Sequence, residues 1–231
     1  MDTEAKPTER DRSSQPGTPG PEGRSRFALV PRLAEWLPGG RITLGLFACL
    51  AFLLILNYVV VQPFQIPSGS MEQGLRIGDR VLVNKLAYRF GAQPHRGDVV
   101  VFDGTEYFGH GDYVKRVVGV GGDHVVCCDK QGRVEVNGRA VDETAFLYPG
   151  DSPSDVPFDV VVPEGRLFVL GDHRSDSSDS RDHLGSPGGG MIPVGSVIGR
   201  ADWIIWPHDH WTHLTRPGAY ARVPAPEGAH G

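Results

Sequence analysis

With 231 residues, a net charge of −5 and a pI near 6.0, the chain has room for one folded domain plus accessory segments, and lacks the basic excess a nucleic-acid partner would call for. Its 31 glycines and 19 prolines make up roughly a fifth of the residues. Beyond the first forty residues they punctuate short apolar runs, which suits a turn-rich β domain better than a helical one. Of the three cysteines, Cys49 lies in an apolar run, whereas Cys127 and Cys128 are adjacent. A bridge between those two would be vicinal and strained, so two free, partly buried thiols are the blander reading, and the redox compartment stays undecided.

In chain order, residues 1–40 are rich in Pro, Gly, Ser and mixed charge without apolar periodicity, the composition of a disordered tail. Ile42 to Val61 then run without a charge, ITLGLFACLAFLLILNYVVV. At about 1.5 Å per residue such a helix covers a hydrocarbon core of about 30 Å. A buried helix or a cleavable signal sequence would have similar composition. A signal sequence, though, would begin near residue 1 and end in a small-residue cleavage site, where this run follows a long tail and leads into Val-Gln-Pro-Phe. The segment 41–61 is therefore expected to be a retained single-pass membrane anchor. Arg24, Arg26, Arg32 and Arg41 precede it, against Arg76 and Arg80 after it, a bias that puts the N-terminus in the cytoplasm and the rest outside.

From residue 62 the chain reads as β. Arg80–Lys85, Asp98–Phe102 and Tyr113–Val120 are short β-branched runs bounded by Gly and Asp. His124–Asp129 and Arg133–Asn137 flank a Lys-Gln-Gly turn and predict a hairpin; Phe158–Val162 and Leu167–Leu170, around Pro-Glu-Gly, predict another. Val197–Trp206 closes the set. The expected organisation is a catalytic β domain over 62–216 and a polar, Pro-rich, disordered tail over 217–231.

Three segments carry candidate chemistry. Pro67-Ser68-Gly69-Ser70-Met71 follows the anchor closely, and Gly69 allows a backbone turn that could present a serine beside a bilayer. A serine needs a base to become a nucleophile. Nine histidines are present, but none sits in a triad-like setting and no Gly-x-Ser-x-Gly elbow occurs, which leaves lysine. An ordinary lysine is protonated, at a pKa of about 10.4, whereas burial among apolar groups lowers that value. Lys115 lies mid-strand in Tyr113-Val-Lys-Arg-Val-Val118, where alternation puts Tyr113, Lys115 and Val117 on one face. Of Lys115 and Arg116 only one can point into an apolar face, and only lysine can be buried neutral; a surface lysine guarding an edge strand is the plainer alternative. Gly171 to Arg181, dense in Asp, Ser and Arg, is either a solvated loop or a hydrogen-bonded rim; Asp172, Asp176, Asp179 and Asp182 lack the spacing of a calcium loop. His208, His210 and His213 could hold a transition metal, but flanking Pro207 and Trp211 favour a packed chain end, and no metal is expected.

Taken together, these segments resemble type I signal peptidases. The family has a Pro-Ser-x-Ser-Met motif after an anchor, here Pro67 to Met71, then Arg-Gly-Asp-Val-Val-Val-Phe, here Arg96 to Phe102. A Tyr-(Val/Ile)-Lys-Arg-Val-Val-Gly motif follows, here Tyr113 to Gly119, and a Gly-Asp-Asn-Arg-x-x-Ser-x-Asp-Ser-Arg motif, here Gly171 to Arg181. The resemblance implies a mainly β fold of antiparallel coiled sheets. It implies Ser70 as nucleophile, Lys115 as general base, Ser68 in the oxyanion hole beside the Ser70 N–H, and Ser177 as the hydrogen-bond partner that orients the Lys115 amine. Arg116, Asp172, Asp179 and Arg181 would support the site. Phe64, Ile66, Met71, Tyr113 and Val114 would wall shallow pockets for small side chains before the cut, the Ala-x-Ala rule. The implied partners are signal-peptide-bearing pre-proteins and membrane lipid, with no cofactor. The chain departs from the family at Met71-Glu-Gln-Gly-Leu75, where Met-x-Pro-Thr-Leu is usual, and at His173 and Ser175, where Asn and Asp are commoner. Self-cleaving repressor-like domains use the same dyad but would need an internal cleavage segment and a DNA-binding domain. A catalytically dead tethered module would not need the full residue set that is present.

Overall fold

A computed structural model describes residues 40–226; the expected tail 1–40 lies outside them except for Gly40, as does the end of the C-terminal tail. By internal contacts the chain divides into residues 1–51 and 52–231. Helix α1, Arg41–Val59, is apolar on every side, and both phenylalanines and all its leucines but Leu44 are exposed. A helix hydrophobic all round needs an apolar solvent, and Ile42–Val59 is long and apolar enough to cross a membrane. The helix stops two residues before the expected boundary because Val61 already pairs in a strand. Lys85 Nζ donates to the Tyr58 carbonyl at 2.8 Å, a cation on one of the last open carbonyls of the helix.

The remainder is mainly β, in two antiparallel sheets. The larger is built from β1 (Val61–Gln65), β2 (Arg80–Asn84), β3 (Val99–Asp103), β4 (Asp112–Val120), β9 (Arg166–Leu170), β10 (Ile192–Pro193) and β11 (Val197–Trp206), with β12 (Thr212–His213) beside β11. Its order is β1-β2-β11-β3-β4-β9-β10. The smaller, in the order β7-β6-β5-β8, holds β5 (His124–Cys127), β6 (Val134–Val136), β7 (Arg139–Ala140) and β8 (Phe158–Val161). The β5–β6 hairpin forms as expected. The second hairpin does not: β8 pairs with β5 and β9 with β4, so Pro163-Glu164-Gly165 carries the chain from one sheet to the other.

Val118, Phe168 and Leu170 of the larger sheet pack with Val125, Val134 and Val136 of the smaller one, while Val117, Val169 and Val100 pack with Phe102 and Ile192. Successive residues of β4 thus enter different clusters, and the strand is covered on both faces. Each fully buried valine, leucine or phenylalanine contributes about 1.5–3 kcal/mol. Two expectations fail here. Tyr220 and Val223, inside the span read as a tail from 217, are buried in this core, with the Tyr220 ring stacked on Phe146 at 6.1 Å and Asn137 Nδ2 donating to the Pro224 carbonyl at 3.0 Å. Cys127 and Cys128, read as free thiols, are joined as a vicinal disulfide.

Candidate active site

Ser70 follows β1 in a turn closed by the Glu72 N–H donating to the Gly69 carbonyl at 2.9 Å. Gly69 contributes space here, because a methyl group on it would come within 3.1 Å of Asp176 Oδ2, and its φ is not left-handed. The loop without the usual Pro is held by a second turn, Leu75 N to the Met71 carbonyl at 2.9 Å, with Met71 and Leu75 both buried. The Gly171–Arg181 loop is tied to the serine turn at two points. The His173 N–H donates to the Ser70 carbonyl at 3.1 Å, and its ring nitrogen Nδ1 lies 3.2 Å from the Gly69 carbonyl while the ring stacks on Tyr148 at 3.7 Å. Histidine thus fills the commoner asparagine's place with a contact of its own.

Lys115 projects from β4 with only 3 % of its surface exposed, and its Nζ donates to Ser70 Oγ at 2.8 Å. Burial pushes the amine down from 10.5 to about 8, partly opposed by the negative charges of Asp179, Asp172 and Asp176. Ser68 Oγ lies 3.4 Å from Ser70 Oγ.

Arg116 was expected to turn outward, and it is buried as well, 6 % exposed. Its opposite face is sealed by the smaller sheet's side of the core, and its charge is met by Asp172, Nε to Oδ1 at 2.7 Å and Nη2 to Oδ2 at 2.6 Å, with Nη1 on the Gly97 carbonyl at 2.9 Å and the Phe146 ring 4.4 Å away. Ser177 also departs from expectation. Its hydroxyl donates to Asp179 Oδ2 at 2.8 Å, and the one side-chain hydrogen bond of Lys115 among the described residues runs to Ser70. Asp179 is the hub of the loop. Burial alone would push its carboxyl up, but Arg181 (Nε at 2.8 Å), the Gly171 N–H at 3.0 Å and Ser177 together hold it below the usual range. Gly171 is forced by proximity, since a Cβ there would run into the Ser177 hydroxyl and the Ser70 carbonyl.

A groove of about 290 Å³ opens beside the dyad. Ile66, Met71, Tyr113 and Val114 line it as expected, whereas Phe64 packs against the cluster around Val81 and Val83 and is not part of the lining. The lining takes in consecutive residues 112–115, because the groove meets the edge of β4: β3 pairs with that stretch, but β9 pairs only from Arg116 onward. Sequence reasoning missed Asp112, Asp176 and Ser178 in the lining, and the buried Arg174–Glu143 pair behind it, Nη2 to Oε1 at 2.6 Å. Proximity to Asp179 was the available signal for Asp176 and Ser178. Nothing local links residue 143 to 174. Among the three C-terminal histidines, His210 Nδ1 lies 3.0 Å from Asp79 Oδ2 and His213 lies against Trp203.

Residues 40–206 match the family described as signal peptidase, peptidase S26. The chain belongs to this family. Signal peptidase I of Mycobacterium tuberculosis (strain H37Rv) is 36 % identical to it over 243 residues, covering 82 % of this chain and 81 % of that protein. The probable signal peptidase I of Mycobacterium leprae (strain TN) is 35 % identical, covering 75 % and 80 %. Signal peptidase IB of Staphylococcus aureus (strain Mu50) is 32 % identical, covering 82 % and 97 %. Family membership makes the chain a serine peptidase of the signal peptidase I type, and its apolar α1 agrees with a membrane-anchored protein.

Proposed function

We propose that this chain removes signal peptides from exported pre-proteins by a Ser70–Lys115 dyad acting through an acyl-enzyme. The observation that carries the reading is the 2.8 Å contact between Lys115 Nζ and Ser70 Oγ, made by an amine that burial brings down to about 8. At pH 7 roughly a tenth of such amines are neutral, against fewer than about one in a thousand for an exposed lysine. A substrate that fills the groove desolvates the amine further and raises that fraction.

Once Lys115 has lost its proton, the hydrogen bond reverses and the Ser70 O–H donates to the free lone pair on Nζ. Ser70 Oγ attacks the scissile carbonyl as its proton passes to Lys115. The Ser68 hydroxyl and the Ser70 N–H are the donors for the developing oxyanion, each worth about 2.7–4 kcal/mol of barrier. Lys115 returns the proton to the leaving amine, then takes one from the water that hydrolyses the ester. Ser177, its hydroxyl committed to Asp179, helps to hold the loop beside Lys115. Asp179, Arg181, Asp172 and Arg116 hold the loop and strand that carry these groups.

The open edge of β4 over 112–115 suits an extended peptide adding as a further strand, with shallow apolar walls that fit small side chains of the Ala-x-Ala type. Ser70 lies a short stretch of chain beyond α1, so the reaction would run near the outer bilayer surface, with the N-terminus cytoplasmic and the precursor's apolar segment still in the lipid. Pre-protein processing by Ser70→Ala and by Lys115→Ala should fall at least about a thousandfold against the wild type. Full activity of either variant contradicts the dyad.

A further inference from the structure

The groove contains two carboxylates that this reaction leaves without a task. Asp112 opens β4 and Asp176 ends the short 3-10 turn Arg174–Asp176, and both line the groove from different elements. Among the described residues neither side chain has a hydrogen-bond or ion-pair partner. Their neighbours Asp172, Asp179 and Glu143 are each held by an arginine. The only cation in the lining is Lys115. With Lys115 neutral, the groove therefore presents two unpaired carboxyl groups and no cation. Burial and the charge of Asp103 also push the Asp112 carboxyl up, a cost that a cation beside it would relieve. Asp176 sits against the turn of the nucleophile, close enough that a methyl group on Gly69 would be 3.1 Å from its Oδ2.

We propose that Asp112 and Asp176 make the groove select precursors with a lysine or arginine close to the cleaved bond, and reject those with an acidic residue there. Asp176 reads the position next to the bond. Asp112 reads a position about three residues along, because strand residues 112 to 115 span about 10 Å. The inference rests on the peptidase reading above and specifies which precursors it favours.

The test uses the full chain in detergent micelles and peptides that share one Ala-x-Ala site. Lys, Gln or Glu is placed in turn at each remaining position within about five residues of the bond. The readout is the Lys:Glu ratio of kcat/KM, which cancels any general change in rate. For the wild type at low salt it should be about fourfold or more at the favoured positions, each carboxylate supplying about two- to fivefold, as an exposed ion pair does. It should drop in Asp112→Asn and in Asp176→Asn, vanish in the double variant, return in Asp176→Glu, and shrink at high salt. A ratio of one at every position in the wild type overturns the inference, as does a ratio that survives in the double variant. If Asp176→Asn moves the pH dependence of all peptides alike and leaves the ratio intact, Asp176 acts only on Lys115 and its role in selection is overturned. Peptides that are cleaved at equal rates thus sink the inference alone, whereas no cleavage of any peptide removes the peptidase reading and the inference with it.

Discussion

Lys115 and Arg116 are neighbours on β4, both nearly sealed from water, and the protein treats their charges in opposite ways. On the Arg116 side Asp172, the Gly97 carbonyl and the Phe146 face meet the guanidinium, and the pair Arg174–Glu143 extends the network. On the Lys115 side the ammonium meets a serine hydroxyl, and the two acids that oppose its loss of charge most are bound to arginines, Asp179 to Arg181 and Asp172 to Arg116, which leaves Asp176 as the weaker, unpaired one. One face spends its acids on fixing a charge, and the withdrawal of those acids from the other face is what lets burial lower the lysine. On the proposed reading, structural support and catalytic activation are two consequences of one distribution of carboxylates.

Breaking the compensated side should have the largest effect on the fold. Arg116→Ala leaves the Asp172 carboxylate buried without its partner, which costs about 3–5 kcal/mol, measurable as a lower denaturant midpoint. The double replacement Arg116→Met/Asp172→Leu should cost clearly less. Equal losses would show that the pair is not the point of the network.

The uncompensated side should respond in the opposite direction. In the unfolded chain the Lys115 amine keeps its proton up to about 10.5, in the native protein only up to about 8. Between those values the unfolded chain binds more protons, so native stability rises with pH across that window, and below pH 8 the full cost of burying the ammonium is present. Lys115→Met should therefore abolish cleavage and stabilise the fold by about 3 kcal/mol at pH 7, with the gain fading as pH rises from 8 through 10.5. A constant gain across that range would contradict a strained lysine. Gly171→Ala, which drives a methyl group into the Ser177 hydroxyl and the Ser70 carbonyl, should cost about 1–3 kcal/mol and reduce kcat with it. The smallest change is Asp176→Asn: it removes a negative charge that favours the ammonium, so the acidic limb of the rate profile should move to lower pH by less than about one unit.

These two faces also mark how far the sequence could be read. β2, β3, β4, β9 and β11 were legible because each is a run rich in β-branched or other apolar residues with clear turn residues near its ends. β1 was not, since Pro63 and two glutamines mask it, and β7, β10 and β12 are two-residue pairings set by their partners. The turn chemistry of Pro163-Glu164-Gly165 is that of a hairpin, but the choice of partner strand is a long-range matter. Alternation along β4 placed Lys115 inward and wrongly sent Arg116 outward, because it assumes one wet face where this strand has none. The four ordered motifs pointed to Ser70, Lys115 and Asp179. The Arg174–Glu143 pair and the buried Tyr220 depend on contacts between distant segments that no local pattern carries.

The pH dependence of kcat/KM for the full chain on a precursor peptide tests the central claim most directly, since its acidic limb reports the free enzyme's base. An acidic limb centred near 8 that stays in place when His173 is replaced by asparagine is the predicted result. A limb near 6.5 that disappears with that replacement, or a rate that climbs with pH until about 10.5, would contradict a buried lysine as the base.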